Sequence, residues 1–130
     1  MQDRVRDQMA AYLAANRVAT LCAAGPQRVA STLVAYRSHR LTLTCQVPGW
    51  SDALYYLEQN PQVALTIILG DQNRGLCWLY YQGLAQPAPS ENLSNPLYRL
   101  IRVLPRRIDM IDEQAGPGVR TTLEVLASGE

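Results

Sequence analysis

Few side chains in this sequence can do chemistry by themselves. All 12 positive charges are arginines and lysine is absent. That excludes a lysine Schiff base, a lysine general base and the lysine of a Walker A loop together. The one histidine, His39, sits between Ser38 and Arg40 with no carboxylate or cysteine in register, and so reads as a solvated turn residue. Cys22, Cys45 and Cys77 lie far apart in apolar stretches with no CxxC spacing. Three thiols cannot all pair within one chain, which points to a reducing compartment and to buried small side chains. With no HxxxH, CxxC or acidic cluster, no protein-bound metal is expected. Gly116-Pro117-Gly118 is not a phosphate loop, since proline removes one of the amides such a loop aims at its anion.

Two constellations remain. Ser51 stands where a helix begins, and free amides there, with the helix dipole, favour an anion. The carboxylate of Asp52 already occupies that first turn, and at about 4 Å it would repel a second unit charge by roughly 4 kcal/mol at an effective dielectric of 20. The start is therefore either an anion site or a helix capped for its own stability. The second constellation is the aromatic group Trp50, Tyr55, Tyr56, Trp78, Tyr80 and Tyr81. Tyr80 and Tyr81 must face opposite sides of a strand, one toward a core and the other toward solvent, a partner or a ligand.

The elements that would position these groups follow from periodicity. Val5, Met9, Tyr12 and Leu13 are spaced as one face of an amphipathic helix. RVATLCA, QRVASTLVAYR and LTLTCQV, separated by Gly25-Pro26 and by Ser38-His39-Arg40, read as an antiparallel meander of strands. SDALYYLEQN is a short helix capped by Ser51 and stopped by Asn60-Pro61. VALTIIL and LCWLYYQGLAQ are strands around the turn GDQNRG, with a bulge or close approach at Gly83. Gln86 to Pro96 is a proline-rich loop, and LYRLIRVLP fits a helix or a strand. RRIDMID and VRTTLEV form a final hairpin. Six or seven strands and two helices make a small barrel of the α+β kind, mainly β.

A chain of 130 residues, 48% of them hydrophobic and 18% charged, has room for one domain with a real core, spanning 1–130 with 126–130 as a loose tail. Its net charge of +1 argues against a nucleic-acid module, where phosphate neutralisation shows as a basic excess. Arg106-Arg107 and the pair Arg37 and Arg40 read as solvated or salt-bridged. The N-terminus lacks the apolar core of a signal peptide, and no run is long enough to span a bilayer, so a cytoplasmic location is expected and the Asn92-Leu93-Ser94 sequon reads as chance.

The order of the motifs carries a resemblance. A leading helix, Arg17 to Gly25, two further strands, S-x-x-L-x-x-L-x-x-NP-x-V-A-L over Ser51 to Leu65, the tryptophan strand Trp78 to Ala85 ending G-x-A, and Tyr98 to Asp112 resemble the pyridoxamine 5′-phosphate oxidase-like family. The similarity covers about residues 4 to 125. The resemblance implies a split β-barrel of six to seven antiparallel strands, with an N-terminal helix and a short helix near residues 51–59, and makes Leu97 to Val103 a strand. It also implies a homodimer binding FMN at the subunit interface, as a flavin-dependent oxidoreductase of unknown substrate. Carried over residue by residue, it places Arg28, Val29, Ala30 and Ser31 beside the isoalloxazine and ribityl groups, and Thr44, Cys45 and Ser51 near the phosphate. Trp78 falls where a glutamine often contacts the ring, with Arg74 in the turn before it.

The family's basic phosphate clamp after that serine is Asp52 and Ala53 here. Arg28, with Arg37, Arg40 or Arg74 as second candidates, would have to hold a phosphate instead, since guanidinium groups can do so in a bidentate way. The arginine and histidine motif with which the true oxidase holds its substrate is absent from VRTTLEVLASGE, so the oxidase itself is not expected. The alternative is a non-catalytic homodimer that has lost the clamp, or a binder of haem or a deazaflavin. Haem is disfavoured by His39 being the sole imidazole.

Overall fold

The computed structural model describes residues 2–70, 73, 75–89 and 95–125. Arg74, the Asn92-Leu93-Ser94 sequon and the tail 126–130 lie outside the described residues. Helix α1 (Gln2–Ala14) is followed by β1 (Val18–Ala24), β2 (Val29–His39), β3 (Thr42–Pro48), α2 (Asp52–Gln59), β4 (Gln62–Ile68), β5 (Cys77–Pro87), β6 (Tyr98–Asp112) and β7 (Arg120–Glu124). No helix among the described residues is long and apolar enough to cross a membrane.

The strands lie in the order β3-β2-β1-β4-β5-β6-β7, the pairings between them are antiparallel, and a further pairing of β3 with β6 closes the first six into a barrel. The split comes from β6. Its first half, Tyr98 to Val103, pairs with β3, and its second half, Arg107 to Ile111, pairs with β7, while β5 runs along the other edge. Leu21, Leu43, Leu65, Ile67, Leu79, Tyr81 and Ile108 fill the interior. Met9 and Leu13 of α1 and Leu54 and Leu57 of α2 bury their faces in the same core.

LYRLIRVLP and RRIDMID, read from the sequence as separate elements, are one strand of 15 residues. Proline inside a strand costs a ladder hydrogen bond, and here it sits at a bulge. Gln82 pairs with Arg107 and Gly83 with Pro105, so Arg106 is the extra residue. Its carbonyl accepts instead from the Val125 N–H at 2.9 Å. Gly83 is required there, because a Cβ would come within 2.5 Å of the Leu104 carbonyl oxygen and 2.7 Å of Val103 Cγ1. The break expected at Ser38-His39-Arg40 is shorter: Ser38 and His39 complete β2, and the turn rests on Arg40 at φ 56°. His39 is thus an exposed strand end rather than a turn residue. Gln86 and Pro87 likewise belong to β5 and not to the loop.

Candidate functional site

β2 is the strand that prepares a site. It pairs with β1 from Val29 to Ala35, but its pairing with β3 begins only at Ala35 opposite Gln46. From Val29 to Val34 the edge away from β1 therefore has no strand partner among the described residues, and half of its amides and carbonyls face outward. Val29 is 80% exposed and Ser31 is exposed, whereas Ala30 packs against the core. Arg28 stands exposed at the entrance, its carbonyl accepting from the Gly25 N–H at 2.7 Å.

From Val29 a shallow open groove of about 520 Å³ runs across the outer faces of β1, β4 and β5. A cross-strand row of Cys22, Ala64 and Gln82 lines it, and Ser31 pairs with Cys22 beyond its edge. Short side chains at Cys22, Ala24 and Ala64 make the floor, and Tyr80, Leu84 and Arg106 rise around it. Arg106 reaches it because the bulge puts Arg106 and Arg107 on the outer face consecutively. The same outer face carries Val18, Leu33 and Ile68, each more than half exposed among the described residues. Its exposed side chains are contiguous along neighbouring strands, a pattern that marks an interaction surface.

Cys22 is exposed on the groove floor, contrary to the expectation of a buried thiol, because β1 alternates and Leu21 and Ala23 take the interior positions. Cys45 fits that expectation, but not its place beside a phosphate. It points into the barrel at 0% exposure, and burial pushes its thiol up to about 12. Tyr36 is also raised to about 12, by burial and then by Cys45. Cys77, half-buried, is raised by burial and by Asp112. Thr44, next to Cys45, faces outward.

Ser51 is the N-cap of α2. Its Oγ accepts from the Leu54 N–H at 3.2 Å and donates to the Pro48 carbonyl at 2.8 Å, and Asp52 opens the helix. Both functions of the hydroxyl are engaged, so this helix start is built to cap itself. Trp78 lies on the outer face of β5 opposite Ile68, three strand spacings, or roughly 14 Å, from β2. Arg28 and Trp78 of one chain are therefore not brought together. Trp50 instead stacks edge-on against Tyr98, with centroids 5.4 Å apart, and Tyr81 is core while Tyr80 is outward. Among the described residues no group of three His, Cys, Asp or Glu side chains is placed to hold a metal.

Sequence reasoning singled out Tyr80 as one of two tyrosines of which one would face outward, and missed Gln82 and Arg106 as groove residues and Arg102 beside Thr44. A signal existed in the acids rather than the bases. No Asp or Glu occurs between Asp7 and Asp52, nor on β5 or on β6 before Asp109. The near-neutral total hid a barrel wall whose charges are all arginine.

No family model matches the chain, and no curated protein matches it in sequence. Solved structures do match in fold. A Clostridium acetobutylicum protein related to general stress protein 26 of B. subtilis, of the pyridoxinephosphate oxidase family, superposes with a TM-score of 0.72 at 9% identity, covering 96% of this chain and 97% of that one. A FAD-binding protein of Mesorhizobium loti gives 0.63 at 16% identity over 78% and 89% of the two chains. The haem storage protein HutZ of Vibrio cholerae gives 0.64 at 12% identity over 77% and 89%.

Proposed function

We propose that this pyridoxamine 5′-phosphate oxidase-like split barrel is an FMN-binding homodimer that works as a flavin-dependent oxidoreductase. The observation carrying it is the unpaired edge of β2 from Val29 to Val34, opening onto the groove of about 520 Å³. Backbone amides and carbonyls along such an edge complement the alternating donors and acceptors on the pyrimidine side of a flavin. The groove volume falls in the range of cofactor pockets, roughly 300 to 1,000 Å³. Arg28, Val29 and Ser31 would line the ring and ribityl chain, with Arg28 placing a fixed positive charge beside it.

A second copy would cover the apolar face around Val18, Leu33 and Ile68 and narrow the open groove into a site. That packing is also what would bring Trp78 of one protomer toward Arg28 of the other, since one chain holds them apart. The bound flavin supplies the redox chemistry; the chain supplies position, a fixed charge and exclusion of water. The sparse acid–base inventory suits that division.

The helix start does not fit the phosphate end. Ser51 Oγ is engaged twice, and Asp52 stands in the first turn. This specific observation favours a second function, a non-catalytic homodimer that has kept the scaffold and lost the clamp. Titration of the protein with FMN separates the two. Quenching of flavin fluorescence with one site per protomer supports the flavoprotein, and unquenched fluorescence at micromolar protein supports the second function.

A further inference from the structure

On the opposite flank of β2, Arg37 pairs with Thr44 of β3, and Thr44 pairs in turn with Arg102 of β6. All three point outward. Tyr36, Leu43, Cys45, Ile101 and Val103 beside them are buried, and strand alternation sends the intervening side chains to the other face. The three thus form one cross-strand row, with a hydroxyl between two guanidinium groups whose Cα atoms are two strand spacings, about 10 Å, apart. Gln86 of β5 pairs with Arg102 and extends the row.

Among the described residues no acid neutralises it. Ion pairs among the described residues are made by Arg107 and Arg120, with Asp109 and Glu124, and none by Arg37 or Arg102. β2 and β3 carry no acid, and neither does β6 before Asp109. Arginine stems are long enough to close over a threonine from both sides. We infer that Arg37, Thr44 and Arg102 form a binding site for a phosphomonoester. Two guanidinium forks and a hydroxyl can engage three oxygens of a tetrahedral anion, where a carboxylate offers only two. The phosphate can belong to the flavin or to a separate phosphorylated substrate. Arg37 lies six residues along β2 from Ser31, roughly 20 Å of strand, and the site stands whether or not flavin binds.

The test uses the full chain and the variants Arg37→Gln and Arg102→Gln, with Arg4→Gln, exposed on α1, as control. Inorganic phosphate should raise the wild-type melting temperature above an equal ionic strength of chloride. Each row variant should weaken phosphate binding by about tenfold or more, the loss expected for a charge-assisted hydrogen bond, and the control should not. All three side chains are exposed or half-buried, so melting without phosphate should be unchanged, which separates lost binding from lost folding. If the row variants also weaken FMN but spare riboflavin, the phosphate is the cofactor's; if FMN and riboflavin bind alike while phosphate still binds, it belongs to another molecule. Phosphate acting no differently from chloride, or row variants as responsive as wild type, would overturn the site.

Discussion

The Tyr81 hydroxyl lies 2.5 Å from the Leu41 carbonyl oxygen and 3.1 Å from that of Val103. Tyr81 is fully buried inside the barrel, and the two carbonyls belong to the turn residue just before β3 and to the last β6 residue that β3 pairs with. One phenol therefore closes the point where the barrel splits. Tyr81→Phe keeps the packing and removes the hydroxyl, leaving desolvated carbonyls short of a donor. Urea unfolding should show a loss of about 1 to 3 kcal/mol. An unchanged midpoint would mean that the split is held by the strand ladder alone.

Asp109 is the buried charge that fastens the added strand. Its carboxylate accepts from Thr122 Oγ1 of β7, lies 3.1 Å from Arg107 Nε and 3.8 Å from Arg120 Nε, and is only 2% exposed. Asp109→Ala frees two partly exposed arginines to solvent, so the cost should be nearer that of the lost charge-assisted hydrogen bonds, about 2 to 3 kcal/mol, than that of stranding a buried charge. Hydrogen exchange should accelerate in β7 before it does in β1. Uniform acceleration would show that β7 is not separately anchored.

The thiols should react in a fixed order. Exposed Cys22 should alkylate in the native protein, and Cys45, buried and raised to about 12, only on unfolding. The same burial sets an alkaline limit to stability. Folded Cys45 and Tyr36 hold protons up to about 12 that the unfolded chain releases from its ordinary values of 9.0 and 10.0. Their contribution is complete below pH 9.0 and is lost as pH rises from there toward about 12. Denaturant midpoints that stay flat over that window would contradict the burial of both groups.

Local chemistry was readable where a residue's effect is local. Ser51 as a helix cap and the division of Tyr80 and Tyr81 between two faces each depend on neighbours within a few residues, whereas Gly83 marked a close approach whose partners, Val103 and Leu104, lie about 20 positions away. β6 as one strand was not readable, because Pro105 breaks a strand by local rules and is tolerated only where the Gly83 approach and Arg106 form a bulge across to β5. The face on which Cys22 lies depends on the register of β1, which hydrophobic content alone leaves open. Arg37 and Arg102 are 65 positions apart and become neighbours of Thr44 only through barrel closure. The acid-free wall was visible as a run, but counting charges over the whole chain averaged it away.

Flavin binding at the open edge of β2 is tested most directly by the visible absorption of the protein after incubation with FMN and desalting. The account predicts a retained oxidised-flavin spectrum with one FMN per protomer and quenched fluorescence. Colourless protein, with flavin emission undiminished at micromolar concentrations, would contradict it.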